Sequence, residues 1–167
     1  VVLLGLHGAS YLAMKTLGAL QERNRVLAKW AMLPAVLLLS AFAVALPFVR
    51  TTFSVNFEEH PAGYVWVVIG LMALASLFVC QRRHRHGAAF VSSSMVITSC
   101  LAVMSWGTYP NLFVATTDPA HSLTIHNASA GADGLHAALW WLPLGLLVVV
   151  SYQVLIHRMF AGPVTPD

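Results

Sequence analysis

Long apolar runs separated by short polar stretches set the pattern of this chain. A helix needs roughly 20 apolar residues to cross a hydrocarbon core about 30 Å thick. Windows free of Asp, Glu, Lys and Arg meet that need at residues 30–49, 62–81, the first two-thirds of 87–117, and 135–156. A fifth window, residues 1–14, reaches only about 21 Å at the helical rise per residue, so it reads as the end of a longer span. The pattern predicts an all-α fold, a polytopic transmembrane helix bundle of about five spans with the first truncated. The expected spans are 1–20, 28–49, 62–81, 87–107 and 135–157, with an outside cap loop over 108–134, all within one transmembrane domain covering residues 1–167.

The polar connectors then fix an expected orientation. Lys15, Arg23, Arg25 and Lys29 follow the first run, Arg82, Arg83 and Arg85 follow the third, and Arg158 follows the fifth. Residues 50–60 carry one Arg against Glu58 and Glu59, and residues 107–134 carry neither Lys nor Arg. Because cytoplasmic loops concentrate Lys and Arg, the N-terminal end of the chain is expected outside and the C-terminus in the cytoplasm.

Composition agrees with lipid as the main solvent: 58% of the 167 residues are hydrophobic and 9% charged, where a soluble domain carries about a quarter charged residues. The net charge of +3 is scattered among the connectors rather than gathered on one stripe, which argues against nucleic-acid binding. The opening Val1-Val2-Leu3-Leu4-Gly5 has neither an initiator Met nor the basic start of a signal peptide, and reads as the interior of a helix. Cys80 and Cys100 sit far apart in apolar runs and are expected to act as small buried apolar residues. Pro34, Pro47 and Pro143 fall inside spans, where local bends are expected. Small residues at Gly5 and Gly8, at Ala41 and Ala45, and in Ser92-Ser93-Ser94 with Thr98-Ser99 suit close helix packing.

His7 is the histidine set well inside an apolar run. An ionisable group at that depth suggests a haem ligand, a proton relay, or a quinone or partner contact. The plainer alternative is a neutral histidine hydrogen-bonded inside the bundle, favoured because a haem normally needs a second strong axial ligand and no other span offers a central His. His136 and His157 lie at span ends, where polar tips reach the interface cheaply. Arg82-Arg83-His84-Arg85-His86 has the residue types of an anionic-lipid or metal site, but three adjacent cations repel a metal, and a tight cytoplasmic turn explains them. No metal site is expected. Lys15, Glu22, Arg23 and Arg25 are expected on a solvated face continuing the first helix. The stretch after Trp106 runs for over 20 residues without helical periodicity, a length uncommon in structureless loops. Its Leu112, Phe113, Leu123 and Ile125 predict a folded cap. Asn127-Ala128-Ser129 matches a glycosylation acceptor, a short motif that carries little alone.

Three stretches resemble subunit II of the cytochrome bd type terminal oxidases. They are Gly8-Ala9-Ser10-Tyr11-Leu12-Ala13-Met14-Lys15-Thr16; Tyr109-Pro110-Asn111-Leu112 with Ser122-Leu123-Thr124-Ile125 and Asn127-Ala128-Ser129; and the last run with Pro143, Tyr152 and Arg158-Met159-Phe160-Ala161-Gly162. They span nearly the whole chain in order. The resemblance implies a non-haem-ligating half of subunit II, its last five spans. Its partner would be a haem-bearing subunit I holding haem b and haem d, and the complex would oxidise quinol and reduce dioxygen to water in a bacterial or archaeal cell membrane. Membrane lipid and quinol or quinone are the other implied partners. The family's acidic residues linked to proton entry lie in the half that does not correspond to this chain, so no catalytic residue is carried over and no bound cofactor is assigned. His7 stays a candidate for quinone or partner contact. The alternative is a fragment of a secondary transporter, although such proteins place charged or unwound elements near the midplane, and these spans show none.

Overall fold

The computed structural model describes residues 1–49, 51–115 and 118–164; Arg50 of the expected second connector and Thr116 and Thr117 of the long loop lie outside them. The fold is all-α apart from one small hairpin. Six helices follow one another: α1 (Val2–Lys15), α2 (Gly18–Val49), α3 (Thr51–Glu59), α4 (Tyr64–Arg82), α5 (His86–Thr108) and α6 (Ala132–Met159). Four of these, α2, α4 with the 3-10 turn Pro61–Gly63 before it, α5 and α6, are long and apolar enough to cross a membrane.

Two compact units divide the chain, residues 1–109 with 163–167, and residues 110–162. In the first, α4 packs along α5, while α1 packs against both α2 and α5. Its core is built from Leu6, Ala9, Ala28, Met32, Ala35, Leu77 and Ala89. Four of these seven are alanines. Apolar side chains gain little by leaving lipid for protein, so helices in a bilayer associate where small residues let backbones approach and where polar groups pair.

The sequence pattern and the structure part company at three places. The first helix stops at Lys15, and the charged stretch bearing Glu22, Arg23 and Arg25 begins α2 rather than extending α1. Thr16 turns extended and Gly18 takes φ +66, a left-handed conformation that costs glycine no steric penalty. Gln21 then donates to the Ala13 carbonyl at 3.0 Å, satisfying one acceptor at the end of α1 from the start of α2. Secondly, residues expected as a connector form the helix α3. Thirdly, the small residues do not all serve packing within this chain. A Cβ on Gly5 or Gly8 would meet nothing within 4 Å, and Ala41 and Ala45 are exposed, whereas Ser92, Ser93 and Ser99 are buried.

The second unit contains the hairpin β1 (Asn111–Phe113) with β2 (Leu123–Thr124), antiparallel with an irregular register. Asn127 closes it: its Oδ1 accepts from the Thr124 amide at 2.7 Å and its Nδ2 donates to the Ser122 carbonyl at 2.9 Å. The described part of the long loop thus contains a hairpin, while Leu112, Phe113, Leu123 and Ile125, expected to fold it into a cap, are exposed. No residue of α6 is buried.

Candidate functional site

His7 lies on α1, next to the buried Leu6 and one turn before the buried Ser10. Its Nδ1 is 2.8 Å from Oγ of Ser93 on α5, a side chain with no exposed surface. The Ser93 hydroxyl spends its single proton on the Phe90 carbonyl at 2.7 Å, so its oxygen accepts from His7, which assigns the ring proton to Nδ1. The Phe90 ring stacks on the imidazole with centroids 4.8 Å apart, and Tyr11 leans on the same ring at 5.3 Å. This arrangement joins α1 to α5 by a hydrogen bond and a stack.

Among the described residues, Ser93, Phe90 and Tyr11 beside His7 supply no second axial nitrogen or sulfur. The hydroxyl-rich face of α5 is spent on helix contacts. Ser76 of α4 and Ser92 share a hydrogen bond of 2.9 Å, and a Cβ on Gly70 would stand 2.7 Å from Ser99 Oγ, so only glycine fits that crossing.

At the far end of α5, α3 folds over the last turn. The final carbonyls of a helix lack partners within it, and Asn56 supplies one from outside, donating to the Gly107 carbonyl at 3.1 Å and to that of Tyr109. The Trp106 indole N–H donates to the His60 carbonyl at 3.2 Å. Phe53, Phe57 and Tyr64 form a run of tilted rings beside them, 5.2 and 5.1 Å between neighbours. Asn56 and Trp106 also line an open, largely apolar cavity of about 620 Å³, with His60, Trp66, Ala102, Ser105 and Tyr109. Among the described residues no Asp, Glu, Lys or Arg lines it, so these residues suit an apolar or aromatic group rather than an ion. Sequence reasoning missed this site because its residues come from three helices and their ends. The spacing of Phe53 and Phe57, one helical turn apart, was the available local signal.

The basic stretch forms a tight turn between α4 and α5. His84 takes φ +56, and the Arg85 and His84 amides donate back to the Cys80 and Gln81 carbonyls at 3.0 and 3.4 Å, the bonds of a Schellman closure. The Arg82 guanidinium carbon lies 4.1 Å from the Phe78 ring centroid. His136 and His157 fall on α6, where His157 Nδ1 bonds the Gln153 carbonyl at 2.8 Å.

The family model for cytochrome bd terminal oxidase subunit II matches residues 1–160. The chain belongs to that family. Within it, a relative from Bacillus subtilis (strain 168) named cytochrome bd ubiquinol oxidase subunit 2 is 27% identical over 158 residues, covering 92% of this chain and 45% of the relative. The chain thus spans about half the length of the curated relative it matches. As a cytochrome bd subunit II sequence with four span-length apolar helices, it is a multi-pass membrane protein of the terminal-oxidase class.

Proposed function

We propose that this chain is the scaffolding half of subunit II of a cytochrome bd type quinol oxidase, holding a haem-bearing subunit I that carries haem b and haem d. In the complex, quinol oxidation is coupled to reduction of dioxygen to water, and the redox chemistry lies in the partner. The observation that carries this reading is the use made of polar side chains inside the bundle. His7, Ser93, Ser76 and Ser92 bond to one another across helices, and Asn56 and Trp106 bond backbone carbonyls across them. Such pairing builds a rigid support.

In the bilayer the chain contributes five spans, the first of them α1, with the N-terminal end outside and the C-terminus in the cytoplasm. Support comes from the basic residues: Arg25 of α2 and His86, next to the Arg82-to-Arg85 turn, line one small cavity and so share one end of the bundle. Both connectors then obey the positive-inside rule together. Lipid covers the exposed apolar faces that the partner does not.

The test is to purify the full-length subunit with the product of its neighbouring gene and record absorbance and quinol-dependent oxygen consumption. A stable two-subunit complex showing haem b and d bands is expected. A complex without them defeats the reading.

A further inference from the structure

Among the described residues two buried side-chain nitrogens have no hydrogen-bond partner, Nε of Arg25 and Nε2 of Gln81. Leaving a buried donor unpaired is costly, and two such donors lining one cavity call for a shared acceptor. Gln81 is 8% exposed. Both residues line the same small cavity, together with Ser10, Ala13, Ala28, His86 and Ala89. Its room is about 10 Å³, close to the about 10–15 Å³ that one water requires.

We propose that this cavity is a water site, holding one ordered molecule that ties four helices together. All four hydrogen-bonding positions of the water can be filled. The water's two lone pairs accept from Gln81 Nε2–H of α4 and Arg25 Nε–H of α2. Its two protons go to Ser10 Oγ of α1 and to the imidazole of His86 at the start of α5. Ser10 is free to accept, because its own proton is committed to the Leu6 carbonyl at 2.8 Å. A buried water commonly makes about three such bonds; here each helix offers one.

Other occupants fit less well. Two converging donors repel a cation. An anion needs more room and an uncompensated charge, and Arg25 is already paired with Glu22 at 2.9 Å. The cavity is too small for an acyl chain or a headgroup. The site lies on the same hydroxyl-bearing face of α1 as His7, one turn away at Ser10, so the water extends the polar seam from the bundle's basic end toward the His7–Ser93 pair.

The experiment uses the full-length two-subunit complex. A cryo-EM map at a resolution that shows ordered waters is expected to contain a compact peak within hydrogen-bond distance of Gln81 Nε2 and Arg25 Nε. In the Gln81→Met variant that peak is weakened or lost and the Tm falls. An empty or dry cavity makes the opposite prediction: removing an unsatisfied donor raises the Tm. No peak in a well-resolved wild-type map, a side chain of another segment filling the space, or a raised Tm in Gln81→Met overturns the proposal. Should that variant fail to assemble, the wild-type map and Ser10→Ala, expected to lose the peak while keeping Gln81, decide. Haem bands and oxygen consumption, read on the same sample, report separately on the oxidase assignment.

Discussion

Helices α5 and α6 are both apolar enough to span a membrane, yet they are used in opposite ways. Helix α5 buries Ala89, Ser92, Ser93, Val96, Ser99 and Gly107 against its neighbours, while α6, built of Leu, Val and Trp over much of its length, buries none. Each helix taken within its own unit, the more lipid-like one makes the fewer protein contacts. In water the order would be reversed, since apolar area drives burial there. In a bilayer large aliphatic side chains are already solvated, and what selects a packing face is smallness and the capacity to hydrogen-bond.

The same substitution on the two sides should therefore have unequal effects. Gly70→Ala places a Cβ 2.7 Å from Ser99 Oγ and 3.3 Å from its Cβ. Overpacking of this kind costs about 1–3 kcal/mol, expected as a clear fall in the thermal midpoint of the full-length complex. Next in size is Ser93→Ala, which removes the acceptor for His7 Nδ1; interhelical hydrogen bonds in membranes are worth about 0.6 kcal/mol on average and at most about 1.7. A double-mutant cycle with His7→Phe, which keeps a ring against Phe90 but has no donor, should recover a coupling in that range. The smallest effect is expected from Gly145→Ala in α6, where an added Cβ meets nothing within 4 Å: the midpoint should stay within about 0.5 kcal/mol of wild type, or rise slightly from improved helix propensity. A large loss there would mean that the face around Gly145 is closely packed in the complex, and would sharpen the contrast into one of partner rather than solvent.

Four span-length apolar helices were legible because membrane length and charge exclusion act on every residue of a run. The break at Thr16 was not, since α1 and the start of α2 both have helical composition and only Gly18 at φ +66 marks the turn. Helix α3 escaped notice because an amphipathic stretch of nine residues is too short for hydropathy to register, and its role depends on Asn56 meeting carbonyls some 50 residues later, a pairing with no local signature. Serines on α5 announced close packing, but which of them would meet His7 depended on the crossing of α1 and α5. Gly5 and Gly8 show the converse: their spacing suits a helix interface, and among the described residues of their own unit nothing lies within 4 Å of an added Cβ there.

We propose that His7 joins α1 to α5 through Ser93 and Phe90 rather than ligating haem. The decisive measurement is the haem b and d absorbance, per complex, of the full-length two-subunit enzyme carrying His7→Gln, a change that can keep a hydrogen bond to Ser93. A spectrum and haem content equal to wild type are expected. Loss or shift of a haem band in an assembled complex overturns the assignment.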